Sequence, residues 1–216
     1  MTISASDALL RLQEGNRLFR EPPSAGVAGV DPSRTFVDLS EGQAPFAAVL
    51  GCSDSRVPVE AIFSQEIGEL FVVRVAGNVV GQPQLGSLEF AVSVLGVRLV
   101  MVLGHTGCGA IDQALASNPP GQPSAKSGTD NLQSILWPIS RAISRQGNSL
   151  GRSDPISATE AVRLNVEAAC EELTLQSEVL ASRTRSGQVL IMGSIYDLKT
   201  GRVEFLGNGG QVPDVP

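Results

Sequence analysis

The sequence predicts an α/β fold, in which a central parallel sheet of four strands with an added antiparallel edge strand is flanked by helices and preceded by an N-terminal helical arm. Four short apolar runs rich in β-branched residues recur along the chain, and helical segments separate them. Continuous apolar runs are typical of strands buried on both faces, as in parallel sheets. Alternation of such strands with helices places the helices on both faces. One domain, residues 1–216, accounts for the length.

The strands are assigned from these apolar runs and from one further segment near the C-terminus. Residues 196–201 contain Asp, Thr and Gly and predict a turn, so the segment that follows should return antiparallel to its neighbour. The predicted strands are 46–51, 70–75, 99–104, 189–195 and 202–206. The predicted helical segments between them are 57–63, 84–96, 108–117, 131–146 and 154–184.

An amphipathic helix is predicted over residues 4–20, before the first strand. Ser4, Ser6 or Asp7 would cap its N-terminus, and its leucines fall near one stripe. This helix has two possible placements. It either reaches across to a partner subunit or folds back on its own domain, and the pattern favours neither.

Segments rich in Gly, Pro and Ser are predicted to lack regular structure. Residues 21–34 predict an extended arm, and residues 117–130 predict a surface loop. The C-terminal residues 207–216 predict a flexible tail.

Composition excludes several classes of protein. The chain is 42% hydrophobic with a net charge of −6, and it has no basic cluster, so we expect neither a nucleic-acid partner nor an anionic membrane surface. No apolar stretch reaches the roughly 18 residues of a membrane span. Residues 1–20 lack the pattern of a signal peptide. Three cysteines argue against a disulfide framework and favour a reducing compartment, so we expect a cytoplasmic protein.

Thiol and imidazole groups follow two of the predicted strands. Cys52 comes directly after the first strand, and His105 and Cys108 come after the third. Ligands of open α/β sheets bind beyond the carboxyl ends of strands, so one metal ion would connect these segments. Two thiolates and one imidazole leave one position of a tetrahedral zinc open, which is typical of a catalytic site. A structural zinc site with four ligands and a set of buried core residues are the weaker alternatives. Cys170 is predicted to be a core residue.

A charged pair lies beside the first of these cysteines. Asp54 and Arg56 are two residues apart, so in an extended chain their side chains point the same way. Arg56 would keep the carboxylate ionised and oriented, and Asp54 would accept a hydrogen bond from zinc-bound water or hydroxide. The alternatives are a surface salt bridge of little energetic value, or Asp54 as a fourth ligand that closes the site.

Residues 52–58 and 104–110 resemble the two signature motifs of the β-class carbonic anhydrases. The resemblance continues through residues 68–78 and 86–92, and weakly through 193–197. It implies reversible hydration of carbon dioxide to bicarbonate and a proton by zinc-bound hydroxide, that is, a carbonate dehydratase (a zinc lyase) that serves carbon utilization. The zinc ligands would be Cys52, His105 and Cys108, with one Zn²⁺ per subunit, and the catalytic dyad would be Asp54 and Arg56.

The resemblance also implies a partner and a substrate pocket. The protein would be a homodimer or a dimer-based tetramer whose N-terminal arm, residues 1–34, wraps the partner. Gln43, Phe71, Phe90 and Gly109 stand at the positions that would bind the substrate.

The pocket departs from the family pattern at two positions. Phe90 replaces a tyrosine that many members carry, so that phenol's hydrogen bond is missing. Val49 stands where one subgroup has a tryptophan, and this, together with the presence of Gln43, favours the open, water-bound form of the site.

The single histidine constrains how the reaction ends. With His105 on the metal, the chain has no other histidine to carry protons near pH 7. We expect protons to leave through water and Asp54 to external buffer, so turnover should rise with buffer concentration.

The alternative activity is hydrolysis of carbonyl sulfide or carbon disulfide on the same zinc site. A non-catalytic zinc protein would lack Asp54 or Arg56, and a two-thiol redox protein would need adjacent cysteines.

Overall fold

The computed structural model describes residues 3–21, 40, 42–117, 129–149 and 156–207. The strands are β1 (Ala47–Gly51), β2 (Leu70–Arg74), β3 (Leu99–His105), β4 (Leu190–Tyr196) and β5 (Val203–Leu206). The helices are α1 (Ala5–Arg20), α2 (Val59–Ile62), α3 (Gln82–Ser93), α4 (Gly109–Ser117), α5 (Asp130–Ser149), α6 (Ala158–Gln176) and α7 (Glu178–Arg185). A short 3₁₀ turn spans Ala76–Asn78.

The five strands form one sheet in the order β2-β1-β3-β4-β5. The pairs β1–β2, β1–β3 and β3–β4 are parallel, and β4–β5 is antiparallel, which confirms the predicted architecture. The chain passes from β1 to one side and then crosses back to place β3 on the other side. This reversal between β1 and β3 is the point at which open α/β sheets bind ligands.

The core lies on both faces of the sheet. Leu88, Val100 and Val166 belong to the cluster on one face, and Leu12 and Met101 belong to the cluster on the other. Neighbouring residues of β3 therefore point into different clusters, as the two-residue repeat of a strand requires. Every residue of β1 and β3 is buried. None of the helices in the described ranges is long and apolar enough to span a membrane.

The prediction of a single helix over 154–184 is wrong, because two helices, α6 and α7, meet at Ser177. The backbone of Ser177 is extended, with φ −125° and ψ 109°. Its hydroxyl oxygen accepts a hydrogen bond from the Leu180 N–H at 3.1 Å and caps α7. The hydroxyl also donates to Glu89 at 2.5 Å, which ties the break to α3.

The N-terminal helix packs on its own chain, which is one of its two predicted placements. Ser4 caps α1 by accepting from the Asp7 N–H at 3.0 Å. Asn16 is buried, and its side chain donates to the carbonyls of Ile62 (3.2 Å) and Gly201 (2.9 Å). A dimerisation role for the arm stays a prediction. Residues 22–34, 118–128 and 208–216, which hold most of the predicted arm, loop and tail, lie outside the described residues.

Candidate metal centre

The three predicted ligands lie together at the carboxyl edge of the sheet, between β1 and β3. Cys52 directly follows β1, His105 ends β3, and Cys108 comes just before α4. All three are buried, and one donor atom from each lies within 4.8 Å of the others. The two Sγ atoms are 4.0 Å apart. The cluster is compact enough for one metal ion.

The imidazole of His105 is prepared to act as a ligand. Its Nδ1 lies 3.0 Å from the Thr106 carbonyl oxygen, so Nδ1–H donates there and Nε2 keeps its lone pair. Nε2 is buried and has no hydrogen-bond partner among the described residues. A buried polar atom without a partner costs free energy that a metal bond would recover. The donor set therefore fits a metal ion.

The two thiols of the cluster interact strongly. A hydrogen bond from the Cys108 thiol lowers the pKa of Cys52 to about 4, against the opposing effect of burial. The N–H groups of Asp54 (3.4 Å) and Gly77 (3.3 Å) also stabilise the Cys52 thiolate. The shared proton and burial raise the pKa of Cys108. One thiolate is therefore present before the other, and a bound cation would favour loss of the second proton.

Asp54 and Arg56, the charged pair predicted beside the cysteines, form a bidentate salt bridge. Arg56 donates from Nε to Asp54 Oδ1 at 2.9 Å and from Nη2 to Oδ2 at 2.6 Å. These hydrogen bonds hold the pKa of the Asp54 carboxyl well below its usual range. Oδ2 lies 3.8 Å from His105 Nε2. Arg56 also reaches the Gly107 carbonyl at 3.0 Å and so links the two ligand segments.

Arg74, at the end of β2, contacts the first ligand segment, and this contact was not predicted from the sequence. Its Nε donates to the Cys52 carbonyl at 3.0 Å, and its Nη2 donates to the Asp54 carbonyl at 2.7 Å. One guanidinium thus fixes the backbone on both sides of Ser53. A charged side chain that closes a largely apolar strand, at the edge where the ligands meet, was the available signal.

The predicted substrate-binding residues are less closely grouped than the ligands. Phe71 on β2 and Phe90 on α3 lie together, with ring centroids 6.2 Å apart, and Phe90 is 45% exposed. Gly109 begins α4, and a Cβ at this position would meet no atom within 4 Å. Gln43 is exposed and makes no side-chain hydrogen bond to another described residue. Their roles stay predictions.

Comparison with known proteins identifies relatives of the chain. The carbonic anhydrase family model matches residues 47–203. Carbonic anhydrase 2 of Mycobacterium tuberculosis is 36% identical over 209 residues, which cover 93% of each chain. The carbonic anhydrase of Pseudomonas aeruginosa is 37% identical over 183 residues, covering 81% of this chain and 79% of that protein.

The solved structures that resemble the chain are also carbonic anhydrases. The Coccomyxa β-carbonic anhydrase, in complex with acetazolamide, superposes with a TM-score of 0.68 at 28% identity, covering 79% of this chain and 76% of that one. A tetrameric β-carbonic anhydrase from Sordaria macrospora gives a TM-score of 0.66 at 27% identity, covering 80% and 86%.

Proposed function

The chain belongs to the β-class carbonic anhydrase family, and from that premise we propose that it catalyses the reversible hydration of carbon dioxide to bicarbonate and a proton. One observation carries the proposal. The buried donor atoms of Cys52, His105 and Cys108 converge beside a carboxylate that Arg56 holds ionised. Such a site combines a place for a Lewis acid with an oriented hydrogen-bond acceptor.

Zinc is the metal we propose, with one ion per subunit held by Cys52, His105 and Cys108. Two thiolates and one imidazole suit a borderline-soft ion that accepts a tetrahedral shell. When bound, zinc lowers the pKa of water toward about 7 and thus supplies hydroxide at neutral pH.

Asp54 and Arg56 orient the reaction. The Asp54 carboxylate accepts a hydrogen bond from the attacking hydroxide and directs its lone pair toward the carbon of the substrate. Arg56 occupies both carboxylate oxygens and keeps Asp54 from turning away. Because Arg56 holds the pKa of Asp54 low, this carboxylate stays ionised and remains a hydrogen-bond acceptor. The departing proton leaves through water and Asp54 to external buffer.

Carbon dioxide is small and apolar, and the residues proposed for its pocket are mostly apolar too. Phe71 and Phe90 supply aromatic surface, and Gln43 supplies one hydrogen-bond donor. The two rings lie where β2 forms an edge of the described sheet, and an exposed apolar group at a sheet edge is typical of a contact surface. This supports a homodimer, or a tetramer built from dimers, whose pocket lies near the interface. A cytoplasmic location follows from thiols that must stay reduced.

The proposed function is tested by metal analysis and stopped-flow carbon dioxide hydration on the purified chain. We expect one zinc per chain and a hydration rate far above that of buffer. Cys52→Ser should lose the zinc. Asp54→Asn should keep it and lose about 10²- to 10³-fold in rate, the usual size of a lost orienting hydrogen bond.

Asp130→Asn is the matched control for Asp54→Asn, because Asp130 is an exposed aspartate at the start of α5. It should leave zinc content and rate unchanged. A zinc-loaded wild-type chain that fails to hydrate carbon dioxide would overturn the proposal. Turnover of carbonyl sulfide by that inactive chain would point to the hydrolase alternative.

A further inference from the structure

We infer that Asn165, in the middle of α6, is a positioning residue for the metal centre and acts on Cys52 through Gly77. The Asn165 side-chain Nδ2 donates to the Gly77 carbonyl at 2.8 Å. The Gly77 N–H donates in turn to Cys52 Sγ at 3.3 Å. Both hydrogen bonds are buried. The inference rests on the proposed function, since it assumes that Cys52 holds a metal ion.

The turn that carries Gly77 has an unusual backbone. Gly77 has φ +66° and the next residue, Asn78, has φ +44°, so two successive residues are left-handed. A Cβ at Gly77 would lie 2.7 Å from Ile139 Cδ1 and 3.2 Å from the Ala110 Cβ. A left-handed conformation at a non-glycine residue persists only where its surroundings impose it. Asn165 provides the side-chain hydrogen bond that holds this turn.

The close packing of α6 on the sheet brings Asn165 to the turn. A Cβ at Gly104 of β3 would lie 2.4 Å from Val166 Cγ2, and one at Gly193 of β4 would lie 2.6 Å from Val166 Cγ1. These two glycines let the helix approach closely at the residue next to Asn165. Asn165 is only 4% exposed, so the Gly77 carbonyl has little access to water as a substitute donor.

The chemical consequence falls on the thiolate. An N–H donor disperses charge on a coordinating sulfur and fixes the direction of its lone pairs. Without Asn165, the strained turn can relax and the Gly77 N–H moves away from Cys52. The metal should then bind more weakly, and the electronic environment of the sulfur should change.

The test compares two substitutions of Asn165 with a control on the same helix. Asn165→Ala removes the donor, and Asn165→Asp removes it at nearly constant volume. Leu173→Ala removes buried packing from α6 at a residue with no hydrogen bond to the turn. Each purified chain is loaded with Co²⁺ to record the thiolate-to-cobalt charge-transfer band, and zinc affinity is measured by chelator competition.

We expect both Asn165 variants to shift the charge-transfer band and to bind zinc about 10- to 100-fold more weakly, the usual effect of losing an outer-shell partner. Leu173→Ala should be less stable but keep the wild-type band and affinity. A folded Asn165 variant with the wild-type band and affinity would overturn the inference. So would failure of both variants to fold, because Asn165 would then be needed for the fold as such.

The proposed function and the role of Asn165 are contradicted by different results. A wild-type chain that binds no zinc, or that binds zinc and does not hydrate carbon dioxide, contradicts the proposed function. A wild-type chain that does both, with Asn165 variants that bind metal normally, contradicts only the role of Asn165.

Discussion

The two segments that supply the proposed ligands are held in place in different ways. His105 is the last residue of β3 and pairs with Tyr196 of β4, so the sheet itself fixes the second segment. Cys52 comes after the end of β1, and residues 52–54 are fixed from outside by the Arg74 guanidinium and the Gly77 N–H. One half of the site follows directly from strand pairing. The other half depends on hydrogen bonds from side chains and turns elsewhere in the chain.

The largest effect should come from removing a ligand, which breaks the site whichever segment carries it. Cys108→Ser should lose bound zinc, and hydration should fall by at least about 10³-fold because no hydroxide is supplied at neutral pH. Cys170→Ser makes the same change on α6, outside the ligand cluster, and should alter neither quantity. Metal analysis and stopped-flow rates measure both. Wild-type zinc content in Cys108→Ser would contradict the ligand assignment.

Loosening only the first segment should have a smaller effect. Arg74→Ala removes the hydrogen bonds to the Cys52 and Asp54 carbonyls, so Asp54 loses its fixed position while the ligands remain. We expect zinc to be retained and the rate to fall about 10- to 100-fold. Arg98→Ala, at an exposed arginine just before β3, is the control and should behave as wild type. Loss of zinc as complete as in Cys108→Ser would show that the first segment cannot form without Arg74.

Disturbing the packing behind the second segment should lower the stability of the chain. Gly104→Ala places a Cβ 2.4 Å from Val166 Cγ2, and overpacking of this kind costs about 1–3 kcal/mol of unfolding free energy. Gly86→Ala is the matched control, in an exposed part of α3 with no atom within 4 Å of the new Cβ. It should stabilise the chain by about 0.5–1 kcal/mol. Urea denaturation measures both, and equal stabilities would contradict the packing assignment.

Removing the metal should have the smallest effect, and it should affect the two segments differently. Cys52 and Cys108 belong to one core cluster, but the other members of both clusters are away from the ligand set, so we expect the chelated chain to keep its far-UV circular dichroism. Amide hydrogen exchange should rise about 10-fold over residues 52–56, while residues 103–105 in the β3 ladder stay protected. An equal rise in both segments would show that the metal, and not the sheet, fixes the second one.

The fold was predictable because its strands are local features of the sequence. Residues 99–103 are continuously apolar, and such a run has few stable placements other than a buried strand. The break at Ser177 was not predictable, because the apolar stripe continues past it and its partner Glu89 lies 88 residues away. The placement of Trp137 was not predictable from a local pattern either: it is 56% exposed, with the Arg141 guanidinium 4.9 Å from its ring centroid.

The grouping of the three proposed ligands was predictable for the same reason, and the side chains that hold their surroundings were not. Cys52 and His105 belong to the ends of recognisable strands, so their meeting follows from the topology of the sheet. Arg74 and Asn165 act through hydrogen bonds to residues 22 and 88 positions away. Such bonds depend on the placement of a turn and on how closely a helix approaches the sheet. No local sequence pattern encodes either of them.

Cys52 and Cys108 lie 56 positions apart in the sequence, and this separation bears on how the protein folds. In a zinc finger the ligands lie in one short segment, and metal binding drives folding. Here the ligands meet only after β1 and β3 have paired, and parallel pairing needs a long crossover and forms slowly. We therefore expect the metal to enter a protein whose sheet is already formed, so that metal supply would limit how much of the protein is active and not how much of it folds.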